Sequence, residues 1–249
     1  MREIIDRIRL RPKNCVWELT FKCNMRCLHC ASNVNDGWFR GDELNLEEAL
    51  SVCRELHELG CDEVTLSGGE ALLRDDWDQI ARYLVSLGIR VALISNGFVI
   101  DEPMADRIQA AGVYLTALSF DGMETTHNYI RANNDSFRRV IRAIPYLKRR
   151  NMRVNLVTHA NRMNLPELPA MEDLAVSSGI DVWRIQLGSP LGRMSAHKEL
   201  MIAPEELPAV ADFVVEAKKR NRITISVGDN IGYFSHHEEI LRQKPAGKG

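Results

Sequence analysis

Apolar positions along the chain follow two alternating rhythms. Residues Val16–Phe21 alternate with a period of two, which predicts a strand, and Leu46–Leu59 repeats its apolar residues at helical spacing before stopping at Gly60. The same pairing recurs. Strand Glu63–Leu66 runs into Gly68-Gly69 and is followed by helix Trp77–Leu87, closed by Gly88. Strand Arg90–Ile94 precedes helix Glu102–Ala111, and strand Val113–Phe120 precedes helix Phe137–Arg150. Strand Met152–Thr158 leads to helix Leu168–Ser178, strand Val182–Leu187 to helix Pro204–Arg220, and Ile223–Val227 reads as a last strand.

This is a run of six β-then-α units at a spacing of roughly thirty residues, which argues for a parallel α/β sheet with right-handed crossovers. Such a sheet either stays open or curls into a partial barrel, and periodicity does not choose between them. Ligands bind at the C-terminal ends of strands in both arrangements. The polar and glycine-rich sequences follow the predicted strands: a cysteine-rich loop, Ser67-Gly68-Gly69-Glu70, Ser95-Asn96-Gly97, Ser119-Phe120-Asp121-Gly122 and Gln186-Leu187-Gly188. They are expected to converge on one rim. Residues 1–14 precede the core, 15–228 carry the repeating units, and 229–249 are polar with no evident partner element.

A length of 249 residues with 45% hydrophobic content suits one sizeable α/β domain. Basic and acidic residues nearly balance, 32 against 34, so nothing in the charge points to nucleic acid. No apolar run approaches the ~20 residues that span a bilayer, and the charged start of the chain lacks a signal-peptide core. The expectation is a cytoplasmic protein with no membrane partner.

All six cysteines lie in the first quarter of the chain, and Cys23, Cys27 and Cys30 crowd into eight residues. Such crowding suggests a metal or cluster site rather than a disulfide scaffold. The C-x3-C-x2-C spacing lets one loop wrap three thiolates around one face of a cubane, with a fourth iron left open for chemistry. Three plainer readings compete. Cys27 and Cys30 alone could be a redox C-x-x-C pair, a structural zinc would need a fourth ligand, which His29 is badly spaced to give, and three buried cysteines could fall at this spacing by chance. Cys15, Cys53 and Cys61 read as structural thiols.

At Cys23-Asn24-Met25-Arg26-Cys27-Leu28-His29-Cys30 the sequence resembles the radical S-adenosylmethionine (radical SAM) superfamily, from about Asn14 to Arg220. The resemblance implies a partial (β/α)6 TIM-like barrel, a 4Fe–4S cluster on Cys23, Cys27 and Cys30, and S-adenosyl-L-methionine as second cofactor. Gly68-Gly69-Glu70 looks like the family's Gly-Gly-Glu-Pro motif with Ala71 in place of proline, and implies a cradle for the methionyl amino group. By the same resemblance Ser95 and Asn96 are polar cofactor contacts and Ser119 faces the ribose or methionyl part. Arg131 pairs with the ligand carboxylate, and Leu187 packs on adenine. His29 either packs near adenine or shapes the loop.

The cysteine-loop wording, Ser-Phe-Asp-Gly at 119–122 and the pair His127 and Arg131 resemble the subgroup with a C-terminal SPASM or twitch extension. No cysteine follows Cys61, so the auxiliary-cluster ligands of that subgroup are missing from the sequence: either the chain is a fragment in which residues 229–249 start such an extension, the favoured reading, or the protein works without auxiliary clusters. The implied activity is reductive cleavage of S-adenosylmethionine to a 5′-deoxyadenosyl radical that abstracts a substrate hydrogen, with an exposed, oxygen-sensitive cluster. Peptide or protein modification is the first expectation, and small-molecule or cofactor biosynthesis the second. A non-catalytic Fe–S binding or interaction protein is the alternative of another class. The implied electron donor is a flavodoxin or ferredoxin. The basic residues Arg138, Arg139, Arg142, Lys148, Arg149 and Arg150 could meet such a partner or form a solvated helix face. His236-His237-Glu238 reads as a helix start rather than a metal site.

Overall fold

Seven strands lie side by side in chain order, each parallel to the next. They are β1 (Asn14–Glu18), β2 (Glu63–Ser67), β3 (Arg90–Ser95), β4 (Leu115–Ser119), β5 (Arg153–Ala160), β6 (Val182–Leu187) and β7 (Thr224–Val227). This computed structural model describes residues 11–34, 42–228, 231 and 237–242. The helices are α1 (Leu46–Glu58), α2 (Trp77–Ser86), α3 (Glu102–Ala110), α4 (Glu124–Arg131), α5 (Ser136–Lys148), α6 (Leu168–Ser177), α7 (Leu207–Arg220) and α8 (Glu238–Arg242). Because every crossover steps one strand the same way, crossovers of one hand put all the connecting helices on one face. The twisted sheet then curls with the helices outside, and β1 and β7 are not neighbours among the described residues. The result is a partial barrel, as expected, with β7 extending its far edge. No helix among the described residues is long and apolar enough to cross a membrane.

Local signals place the helices. Asn45 and Glu48 form a reciprocal capping box that starts α1, and Asp101 caps α3 through the Met104 amide. Trp77, Trp183 and Phe120 are fully buried in the core, and the Trp183 indole N–H is satisfied by Thr158 Oγ1 at 2.8 Å. Cys53 and Cys61 are buried, as read from the sequence, while Cys15 is half-buried.

Three sequence expectations need correction. Helix α4 was not foreseen: its buried positions include Thr126 and His127 beside Ile130, so its inner face lacks a simple apolar stripe. The first strand ends at Glu18 rather than Phe21, because its ladder partner Ser67 is followed by Gly68 at φ +130°, which turns the chain out of register. Within 229–249, read as having no partner element, the described residues Ile231 and Leu241 are buried in the main core. Lys218 of α7 donates to the carbonyls of Ile240 and Leu241 of α8. His237 contacts Asp212 of α7 at 3.2 Å, and His236 lies outside the described residues.

The sharp turn after β2 decides how the cysteine loop sits. Gly69 N–H donates to the Thr20 carbonyl at 2.7 Å, and Glu70 N–H to the Lys22 carbonyl at 2.8 Å. A Cβ on Gly68 would lie 2.4 Å from Thr20 O, and one on Gly69 2.3 Å from Lys22 O. The two glycines therefore admit the backbone of the loop leading into Cys23.

Gly69→Ala is expected to cost roughly 2–3 kcal/mol, because a backbone carbonyl must give way. Gly88→Ala, at φ +80° with nothing within 4 Å of a Cβ, should cost only about 1 kcal/mol of left-handed strain. Urea unfolding of both variants checks the ranking, and equal losses would mean that the loop contact is soft.

Candidate active site

One cleft of about 160 Å³ opens at the C-terminal ends of β1 to β4. Cys23, Cys27, Cys30, Gly68, Gly69, Glu70, Ser95, Asn96, Ser119 and Arg131 all line it, so ten of the residues singled out from sequence meet at one place. Leu187 does not line it: at the end of β6 it packs against the main core. Met25, His29 and Arg193 are lining residues that carried no firm assignment in the sequence.

The cysteine loop hangs between three anchors. The seam with Gly69 and Glu70 holds its start. In its middle, Leu28 N–H donates to the Ile130 carbonyl of α4 at 2.8 Å. Its far end is clamped by the segment after β6: Arg193 N–H donates to Cys30 O at 3.0 Å, Arg193 Nε to Cys27 O at 2.9 Å and Arg193 Nη1 to Val34 O at 2.7 Å. Gly192, at φ +56°, permits this approach, since a Cβ there would lie 2.4 Å from Cys30 O. The run Gly188 to Arg193 was the available sequence signal, yet its partner lies more than a hundred and fifty residues earlier.

All three cysteines lie outside disulfides, Cys27 buried and the other two half-buried. Burial pushes the Cys23 thiol up to about 11. It also pushes up Cys27, against the opposing Arg131 guanidinium, whose Nη1 stands 3.7 Å from Cys27 Sγ. Thiols this reluctant to ionise alone need a cation to become thiolates.

Glu70 is fully buried behind the glycine turn. Its carboxyl accepts from Asn96 N–H at 2.7 Å, from Leu72 N–H at 3.4 Å and from the Ser95 hydroxyl. Burial outweighs these bonds and raises its pKa to about 7. The Asn96 side chain in turn donates to Asn24 Oδ1 at 2.7 Å, tying the third strand end to the cysteine loop.

Asp121 is the centre that sequence reasoning quoted without giving it a task. It is wholly buried at the end of β4. Its Oδ2 receives Arg131 Nε at 2.7 Å and Nη2 at 2.5 Å, with His29 Nε2 at 3.4 Å, while its Oδ1 accepts His159 N–H at 2.8 Å. Burial works to raise its pKa, but Arg131 and His29 outweigh it and hold the carboxyl well below the usual range. His159 stacks on His29 at 4.9 Å, and burial drives its pKa down to about 4, so its ring is neutral at pH 7.

The basic face of α5 is largely spent within the molecule. Arg138 pairs with Glu124 at 3.0 Å, Arg139 with Asp135 at 2.7 Å and Arg150 with Asp106 at 2.7 Å, while Arg149 pairs with Glu102.

The donor set fits a cubane better than a single ion. Three thiols face one cleft within a single short loop, and the Arg131 guanidinium already points a donor at one of the sulfurs, as suits thiolates on separate irons of a cluster.

Comparison with known proteins agrees with the fold and the motif. An AdoMet-dependent heme synthase of Methanosarcina barkeri is 29% identical over 239 residues, which cover 96% of this chain and 66% of that protein. The sporulation killing factor maturation protein SkfB of Bacillus subtilis is 26% identical over 197 residues, 79% of this chain and 48% of that one. Among solved structures, Streptococcus suis SuiB bound to its precursor peptide SuiA superposes with a TM-score of 0.76 at 13% identity, over 91% of this chain and 51% of that one, a likeness of fold. The chain thus spans about two thirds or less of the length of these relatives. Residues 17–175, a span that takes in the cysteine loop, the glycine turn, Asp121 and Arg131, match the model of the Radical SAM superfamily, and the chain belongs to that family.

Proposed function

We propose that this protein is a radical enzyme that holds a 4Fe–4S cluster on Cys23, Cys27 and Cys30 and cleaves S-adenosylmethionine reductively, the resulting 5′-deoxyadenosyl radical taking a hydrogen atom from a substrate. The observation that carries the reading is the convergence of the three thiols, the Gly68–Glu70 turn and Arg131 on one cleft. When bound, the cluster supplies the electron that breaks the carbon–sulfur bond.

The chain's own residues bind and orient. Glu70, already receiving three donors, would accept the methionyl amino group, and Ser95 and Asn96 hold that carboxyl in place. Arg131 still has N–H groups beyond those given to Asp121 and Cys27, and these would receive the ligand carboxylate. Ser119 would meet the ribose or methionyl part. The burial of Cys27, Glu70 and Asp121 keeps this side of the cleft dry, as radical chemistry needs. In this reading residues 15–228 form the catalytic core, with Ile231 and Leu241 belonging to its packing.

A flavodoxin or ferredoxin would donate the electron. An acidic donor of this kind would meet the exposed basic residues Lys22 and Arg26 on the cysteine loop. Peptide or protein is the first substrate class, supported by the SkfB relative. Small-molecule or cofactor synthesis is the second, favoured by the longer match to the heme synthase.

Anaerobically reconstituted protein is expected to release 5′-deoxyadenosine and methionine from S-adenosylmethionine only when dithionite is present, and Cys27→Ala to lose both iron loading and release. A fully loaded cluster with no release would refute the enzyme reading.

Glu70 also gives a pH signature to the cofactor-free protein. Its folded pKa of about 7 lies above the ordinary 4.5, so the native state binds the proton more tightly than the unfolded state. Stability from this group is therefore present below pH 4.5 and falls as pH rises through 7, by at most about 3 kcal/mol. Urea melts from pH 5 to 8 should show a steeper decline for wild type than for Glu70→Gln. Identical slopes would mean that Glu70 is ionised throughout.

A further inference from the structure

Arg131 holds two partners at once, and the geometry of that arrangement exceeds what recognition of a ligand carboxylate requires. Its Nε and Nη2 both close on Asp121 Oδ2, at 2.7 and 2.5 Å, while Nη1 reaches Cys27 Sγ at 3.7 Å. Asp121 cannot turn away. Its other carboxylate oxygen accepts His159 N–H at 2.8 Å, its backbone N–H donates to His127 Nδ1 at 3.1 Å, and its carbonyl accepts Asn164 Nδ2 at 2.9 Å. His127 is itself fixed by Ser136 Oγ at 2.9 Å. Cys27 is held from the other side, because Leu28 next to it is bonded to Ile130 next to Arg131. The N–H···S contact is therefore set from both ends by buried hydrogen bonds.

A guanidinium on a cluster sulfur acts on the electron the cluster receives. Reduction adds a negative charge, and a cationic donor beside the thiolate stabilises that extra charge, which raises the potential. The carboxylate behind the guanidinium opposes this. In a buried setting neither charge is screened by salt.

We propose that the Asp121–Arg131 pair sets the reduction potential of the cluster through the hydrogen bond from Arg131 to Cys27, with Asp121 the positioning residue that fixes the guanidinium. This rests on the cluster assignment proposed above. It predicts opposite signs for the two halves of the pair. Asp121→Asn keeps an oxygen for Arg131 but removes the opposing charge, so the potential rises. Arg131→Met removes the donor and the cation, so it falls. Arg131→Lys keeps the charge without the fixed fork and lies between wild type and Arg131→Met.

The test is an EPR-monitored redox titration of the reconstituted full chain, without S-adenosylmethionine, alongside iron and sulfide analysis. Each end variant is expected to change the one-electron equilibrium about tenfold, which is about 59 mV, in the stated direction. If Arg131→Met does not load iron, the wild type, Asp121→Asn and Arg131→Lys decide the sign. Loaded variants that titrate at the wild-type potential overturn the proposal. A wild-type protein that takes up no iron overturns the cluster assignment itself, a result distinct from unchanged potentials.

Discussion

The site depends on a backbone seam. Two glycines after β2 let the chain that follows β1 lie directly against them, carbonyl to amide, at Thr20–Gly69 and Lys22–Glu70. Side chains play no part in that contact, so it fixes where the cysteine loop leaves the sheet whatever its outer residues are. From the seam the constraint spreads. Glu70 reaches the Asn96 amide, and the Asn96 side chain returns to Asn24 between Cys23 and Met25. Three strand ends are closed into one hydrogen-bonded circuit around the thiols.

A second layer is electrostatic. The rim buries a carboxyl at Glu70 and a carboxylate at Asp121 beside the mostly covered guanidinium of Arg131. Buried ion pairs are poor contributors to stability, since the desolvation cost offsets the attraction. Their value here is positional: Asp121 with five partners and Arg131 with two leave the guanidinium one orientation, aimed at Cys27. Burial opposes ionisation of the Cys23 thiol and the Glu70 carboxyl, so each needs a nearby positive charge to become an anion.

What could be read in advance was local. The spacing of Cys23, Cys27 and Cys30, the Gly68-Gly69-Glu70 turn and the strand-end serines and asparagine were all legible, because each is a short run at a predicted strand end. The glycines were read as making room for a ligand, and the structure gives them a different neighbour, the backbone of the cysteine loop. Helix α4 escaped because polar Thr126 and His127 sit on its buried side, satisfied by Glu167 and Ser136. The clamp from Arg193 to Cys27 escaped because 166 residues separate the partners and no local pattern joins them.

The sequence by itself determined the alternation of strands and helices, the family and the three thiols, since periodicity, turn residues and ligand spacing are properties of neighbouring residues. Tertiary structure alone decided that Asp121 would hold Arg131 against Cys27, that Arg193 would fasten the far end of the loop, and that Leu187 would pack against the core at the end of β6. The physical reason is that hydrogen bonds and burial depend on which strand ends the curled sheet brings together, and that curvature is set by the packing of the whole chain.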